Sequence, residues 1–258
     1  MSVTSLSYQT SPAQCIAAEA DVNEAYQQME EYDVSCLGVI GAQQQLLGVV
    51  SRTDLLRIGR REAGTSHQAS SLTLPFRPVQ EVMTRPAVTV GPEDSVRAAA
   101  RCMVEKRLHR VFIVNAEQQP LGVISTRDLM LSVRDSRMKE PLENFMSSPV
   151  FTVRAHEPVS EALQRLEKAH ISGLVVLDEE WPVGIFTQRD ALLFQNVARS
   201  TPVEEVMNPA ILFLPRECPM FRAAAQAASL RARRVLVSDG KKVVGIVTGL
   251  DFARAAAH

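Results

Sequence analysis

The stretch PLGVISTRDLM, residues 120–130, opens with a Gly-led apolar run and closes on Ser-x-x-Asp ahead of further apolar residues. A short apolar run bounded by turn residues reads as a buried strand. A hydroxyl residue with an acid three positions on reads as the start of a helix. The pattern returns three times: LLGVVSRTDLL at 46–56, PVGIFTQRDAL at 182–192 and VVGIVTGLDFA at 243–253. Its aspartates, Asp54, Asp128, Asp190 and Asp251, stand 74, 62 and 61 residues apart. A second marker keeps the same register: VMTRP at 82–86, FMSSP at 145–149 and VMNP at 206–209, with YQTSP at 8–12 in the first copy. Two markers repeating in phase identify four copies of one unit.

Each copy reads as β-α-β-β-α. In the second, AVTV after Pro86 is a short strand, and a helix is expected from about Asp94 to Lys106. Val96, Ala99, Ala100, Met103 and Val104 give that helix one apolar face. RVFIVN is a strand, EQQP a turn and LGVIS a strand, and a second helix begins near Ser125. Pro158 and Pro219 stand where the first helix of the third and fourth copies should begin, a position where proline's missing N–H is harmless. The expected boundaries are 6–58, 79–135, 142–199 and 203–256, all within an α/β fold. A copy of about 55 residues is marginal alone, so copies should pair. Residues 59–78, GRREAGTSHQASSLTLPFRP, read as an insertion of loop-like composition, expected to be a mobile linker.

Composition narrows the function classes. Hydrophobic residues make up 46%, enough for an ordinary core, while aromatics are only 5%. With 28 basic and 29 acidic residues the net charge is −1, which supports neither a nucleic-acid coat nor a membrane-surface patch. Cys15, Cys36, Cys102 and Cys218 are far apart with no C-x-x-C, so they read as small buried hydrophobes in a reducing compartment. The N-terminus has no basic head or apolar run of a signal peptide, and no apolar stretch approaches a membrane span. A soluble cytoplasmic protein is expected.

The repeated β-α-β-β-α unit, with V-M-x-x-P leading in and G-h-h-[ST]-x-x-D before the last helix, resembles the CBS domain. A pair of such domains is a Bateman module. Four in one chain resemble the gamma subunit of AMP-activated protein kinase and free-standing four-repeat proteins. The resemblance implies two modules, copies 1 with 2 and 3 with 4, assembled as a disc either within one chain or through a homodimer. It also implies ligand clefts. In nucleotide-binding members the motif Asp accepts hydrogen bonds from ribose hydroxyls and the Ser/Thr meets a phosphate. By motif match these are Ser51 with Asp54, Ser125 with Asp128, Thr187 with Asp190, and Thr248 with Asp251. Backbone around Thr89 and Thr152 would read the base. Copy 1 departs most, with Tyr8-Gln9 for Val-Met.

The residues alone permit a plainer reading. [ST]-x-x-[DE] is also a capping box, in which the hydroxyl meets the N3 amide. Capping boxes favour Glu or Gln at the fourth place, yet all four copies carry Asp. A short carboxylate beside free helix N-terminal amides suits a sugar with a phosphate. A second feature alternates: copies 2 and 4 carry His109-Arg110 and Arg233-Arg234, where copies 1 and 3 carry Ser35-Cys36 and Ser172-Gly173. The kinase gamma subunit uses such a basic pair on phosphates, and arginine's planar fork grips phosphate oxygens two at a time. The plainer reading is a solvated basic helix end. It accounts for Lys106 and Arg107 better than for Arg110 and Arg234, which begin strands.

Trp181, in the turn DEEWPVG, is a candidate partner anchor or a packing residue. His156 and His170 lack metal-ligand spacing, and Met83, Met103, Met146 and Met207 read as core. No nucleophile–base pair, phosphate-binding loop or metal triad is visible, so an enzyme is not expected. The expectation is a regulatory, energy-sensing module that binds AMP, ADP or ATP and controls a protein partner. S-adenosylmethionine and cyclic dinucleotides are other ligands the family takes. The rival is a scaffold whose motifs are only helix caps.

Overall fold

A computed structural model describes residues 7–62 and 73–258. Each copy forms one three-stranded sheet and two helices. Copy 1 runs β1 (Cys15–Ala17), α1 (Val22–Glu31), β2 (Cys36–Ile40), β3 (Leu46–Ser51) and α2 (Arg52–Glu62). Copy 2 runs β4 (Thr89–Val90), α3 (Val96–Glu105), β5 (Arg110–Val114), β6 (Pro120–Ser125) and α4 (Thr126–Asp135). Copy 3 runs β7 (Thr152–Arg154), α5 (Val159–Lys168), β8 (Gly173–Asp178), β9 (Trp181–Thr187) and α6 (Gln188–Leu193). Copy 4 runs β10 (Phe213–Pro215), α7 (Met220–Ser229), β11 (Arg234–Asp239), β12 (Lys242–Thr248) and α8 (Gly249–Ala257). In every sheet the second strand lies in the middle, parallel to the first and antiparallel to the third. The helix between the first two strands makes that parallel return.

Apolar spacing carries the helices. α3 buries Val96, Ala99, Ala100 and Met103, and α5 buries Val159, Ala162, Leu163 and Leu166. Val104, expected on the same face of α3, is only partly buried. Pro158 and Pro219 lie one residue earlier than expected. Each is the N-cap residue in extended backbone, with ψ of 148° and 139°, and neither makes a side-chain cap. α2 continues to Glu62, so the first residues of the expected insertion are helical. At its other end Leu74 is buried and the Arg77 carbonyl accepts from the Val22 amide at 3.0 Å. The linker expectation otherwise falls on 63–72, outside the described residues.

The chain forms two compact units of interleaved sequence. The odd unit, Gln14–Ala87 with Phe151–Ala210, holds copies 1 and 3; the even unit, Met1–Ala13, Val88–Val150 and Ile211–His258, holds copies 2 and 4. In the odd unit α2 packs on α6, and Val22, Leu55, Leu163 and Phe186 share one core. In the even unit α8 packs on α3 and α4, and α4 also packs on α7. Helix packing therefore joins alternate copies. Adjacent copies, the expected pairs, are linked instead by their lead-in segments, each of which docks on its neighbour. Thr84 bridges to Val49 of β3 and Asn208 to Ile185 of β9 in the odd unit. Thr10 bridges to Val123 of β6 and Ser147 to Ile246 of β12 in the even unit.

This docking explains both sequence markers. A Cβ on Gly48 would stand 2.7 Å from Met83 Sδ and 2.8 Å from the Thr84 carbonyl. Gly184 meets Met207 and Gly245 meets Met146 in the same way, and Gln9 covers Gly122 in place of methionine. The motif glycine is the gap that admits the neighbour's lead-in. Gly48→Ala is expected to destabilise the protein by about 1–3 kcal/mol, since the Thr84 backbone cannot rotate aside as a side chain can. A urea midpoint unchanged from wild type would refute that.

Trp181, expected in a turn, begins β9 and is 59% exposed. Met103 is fully buried, while Met83, Met146 and Met207 are partly buried against the cores. Cys36 and Cys218 are buried and all four cysteines are free thiols; burial pushes the Cys15 thiol up to about 11. Among the described residues no helix is long and apolar enough to cross a membrane, and no cluster of three or more His, Cys, Asp or Glu is placed to hold a metal.

Candidate functional site

All four Ser/Thr-x-x-Asp motifs close as helix caps. The Ser125 amide and hydroxyl donate to Asp128 Oδ2 at 2.7 and 2.6 Å. Ser51 donates to Asp54 Oδ2 at 2.9 and 2.6 Å, Thr187 to Asp190 Oδ2 at 2.8 and 2.6 Å, and Thr248 to Asp251 Oδ2 at 2.6 and 2.9 Å. Aspartate, shorter than the usual Glu, still reaches back to the cap amide. One carboxylate oxygen per motif is thus committed to the helix start.

The even unit brings two motifs together. Gly249, the first residue of α8, has no room for a Cβ, which would lie 2.4 Å from Thr126 Oγ1 at the first residue of α4. Two helix N-termini therefore meet, and their dipoles favour negative charge between them. Strand register sets the cations beside them. Arg110 pairs with Ser125 across β5–β6, and Arg234 pairs with Thr248 across β11–β12. His109 precedes Arg110 and its carbonyl accepts from the Thr126 amide at 2.9 Å.

The electrostatics report the same convergence. The His109 imidazole is pushed down to about 4, first by desolvation and then by Arg110, Arg234 and Arg233. His109 is nevertheless an exposed residue, so the neighbouring arginines rather than full burial are the firmer cause. The basic pairs of copies 2 and 4, 124 residues apart in sequence for Arg110 and Arg234, thus share one region. Burial raises the Asp128 carboxyl, opposed by the Ser125 hydroxyl and amide and by Arg110 and Arg127. Burial likewise raises Asp251, opposed by the Thr248 amide, Arg254, the Thr248 hydroxyl and Ser147. Thr89 lies on β4 of this unit.

The odd unit has the same layout with different chemistry. Thr53 Oγ1 donates to Gln188 Oε1 at 3.0 Å where the starts of α2 and α6 meet. Opposite the capping residues stand Cys36, paired with Ser51, and Gly173, paired with Thr187. The cations here are Arg52 and Arg189, and acids engage both. Arg52, 3% exposed, meets Glu30 at 2.7 Å, while Arg189 meets Glu30 at 3.3 Å and Asp33 at 2.6 Å. Sequence reasoning missed this network because its members come from α1 and the turn after it, α2 and α6. It also missed Arg57 and Arg254, one turn after the motif aspartates, and Thr84 and Ser147, which donate to Asp54 and Asp251. Thr152 lies on β7 of this unit.

Comparison with known proteins places these features in a family. The CBS domain profile matches residues 5–61, 79–135, 142–196 and 203–258. An uncharacterized 33.4 kDa protein in a ribosomal RNA operon of Thermofilum pendens is 27% identical over 190 residues, which cover 69% of this chain and 59% of that protein. The crystal structure of protein MJ1225 from Methanocaldococcus jannaschii, a proposed archaeal homologue of the AMP-activated kinase gamma subunit, covers 98% of this chain and 99% of its own at 18% identity and a TM-score of 0.83. CBSX2, solved in complex with AMP, covers 52% of this chain and 98% of its own at 21% identity and a TM-score of 0.43. With its profile matched four times along nearly the whole length, the chain belongs to the CBS-domain family.

Proposed function

We propose that this protein is a regulatory module that binds an adenosine nucleotide in its even unit and passes the bound state to a protein partner in the cytoplasm. The observation that carries this reading is the convergence of His109, Arg110, Arg233 and Arg234 beside two helix N-termini and the Asp128 carboxylate. The guanidiniums and the helix dipoles take the phosphates, and Asp128 accepts the ribose hydroxyls. The Ser125 and Thr248 hydroxyls lie at the same helix starts, within the phosphate's reach. Binding shifts the packing of α4 against α8, whose starts touch, and that shift is what a partner reads. ATP, ADP and AMP carry the charge this cluster suits. S-adenosylmethionine, a sulfonium cation, is the contrast. The corresponding pairs Thr187 with Asp190 and Ser51 with Asp54 belong to the odd unit, where acids already engage the cations.

Thermal shift against AMP, ADP, ATP and S-adenosylmethionine, with and without Mg²⁺, tests the reading, because a ligand of the folded state raises the midpoint by mass action. A rise with the phosphorylated compounds, with the nucleotide recovered intact, supports a sensor; a consumed nucleotide would mean an enzyme. Asp128→Ala is expected to weaken binding about tenfold to a hundredfold, since hydrogen bonds to a charged group contribute about 1.5–3 kcal/mol each. No rise in wild type would move the scaffold reading first, with Asp128→Ala then showing only about 1 kcal/mol of lost capping.

A further inference from the structure

The four motif carboxylates are alike in their committed oxygen and unlike in the other. At Asp54, Oδ1 accepts from Arg57 at 3.1 Å and from the Thr84 hydroxyl at 3.2 Å. At Asp251, Oδ1 accepts from Arg254 and from the Ser147 hydroxyl, the latter at 3.1 Å. Both donors recur at equivalent places: an arginine three residues after the motif Asp, and a hydroxyl just after the lead-in methionine. At Asp128 the arginine does not recur, and Thr10, which takes the hydroxyl's place after Gln9, makes no hydrogen bond to the carboxylate. Leu131 stands where the arginine would be, and no donor among the described residues meets Oδ1, although Asp128 is only 7% exposed. Copy 3 also has a leucine at that place, Leu193.

We infer that the residue three positions after the motif aspartate decides whether a copy accepts a ligand's sugar: Arg57 and Arg254 occupy the acceptor oxygen of copies 1 and 4 from within, and Leu131 leaves that of copy 2 open. This rests on the nucleotide reading above. A sugar arriving at Asp251 must displace two donors to make two bonds, which returns the carboxylate to where it began. A sugar arriving at Asp128 displaces only solvent from an oxygen that no side chain among the described residues engages, so its bonds keep their ordinary net contribution. The arginines themselves are about half exposed, at 55% and 46% of their side chains, and ion pairs at such positions are individually weak. Their carboxylates are not, at 8% and 3%. The half-exposed guanidiniums of Arg57 and Arg254 contribute little to folding, so each can be removed by mutation without unfolding the helix.

The test is isothermal titration of the full chain with ATP, comparing wild type, Arg254→Leu and Leu131→Arg, with Leu131→Met as the check that position 131 tolerates change. Arg254→Leu is expected to add one site to the stoichiometry, and Leu131→Arg to weaken the wild-type site at least tenfold while Leu131→Met does not. If wild type binds and neither substitution changes stoichiometry or affinity, the inference is overturned and the nucleotide reading stands. If Leu131→Arg fails to fold, Arg254→Leu decides by itself. If wild type binds nothing but Arg254→Leu binds, the reading at Asp128 falls and the internal occupancy of Asp251 stands. If no variant binds, both fall.

Discussion

The double substitution Arg110→Ala with Arg234→Ala is expected to weaken nucleotide binding roughly a hundredfold or more while leaving adenosine binding unchanged. Each arginine pairs across its sheet with a capping residue, which puts both beside the starts of α4 and α8. A charge-assisted hydrogen bond contributes about 1.5–3 kcal/mol, and two of them make at least about 3 kcal/mol, or some two orders of magnitude. Adenosine lacks the phosphates, so its affinity should not move. Titration at two ionic strengths gives an independent readout, because the wild-type affinity should fall with salt more steeply than that of the double variant. Lysine at both positions should restore only part of the loss, having the charge without the planar fork. Equal affinity of wild type and variant for ATP would assign Arg110 and Arg234 to ordinary strand-start solvation and remove the main support of the sensor reading.

Much of this molecule is legible in its sequence because the information is local. The apolar face of α3, the Ser95 cap before it and the Ser-x-x-Asp start of α4 all lie within a few residues of what they determine. Repetition at a fixed register then gives four copies at once. What escapes is contact between distant segments. Nothing near Gly48 says that Met83, 35 residues later, will lie on it, so the motif glycine and the lead-in methionine read as two markers when they are one joint. The grouping of copies 2 with 4 and 1 with 3 escapes for the same reason, since any of these helices has a face suited to several partners. The closure of Asp251 is an intermediate case. Arg254 is one helical turn away and visible in the sequence, but its meaning depends on Oδ2 being consumed by the Thr248 cap, which only the geometry shows. The aspartate that argued for a ligand also makes the cap it was weighed against, so the two readings differ only in what the second oxygen does.

The same region should couple ligand binding to protons. His109 carries an imidazole pushed down to about 4 from 6.5, by desolvation first and then by Arg110, Arg234 and Arg233. In the free protein it is therefore neutral between those values, whereas the unfolded chain protonates it near 6.5. A base depressed on folding contributes stability that is full above the unfolded value and is lost as pH falls from about 6.5 towards 4. Wild type should accordingly lose more stability over that window than His109→Gln, measured as urea midpoints. Binding reverses the sign. A polyphosphate beside the ring offsets the three guanidiniums and restores the proton, so the complex takes up a proton that the free protein does not hold. Affinity should then rise as pH falls below about 6.5, by at most about tenfold per pH unit for one linked proton. Protonation of the nucleotide's own phosphate and of Asp128, whose carboxyl is also raised, acts in the opposite direction. The informative quantity is therefore the difference between wild type and His109→Gln with the same nucleotide, in which those two contributions cancel. A difference that grows towards pH 4.5 places the phosphates against His109. Parallel pH profiles would put the ligand's charge elsewhere, leaving His109 only as a measure of how closely the arginines of copies 2 and 4 are held.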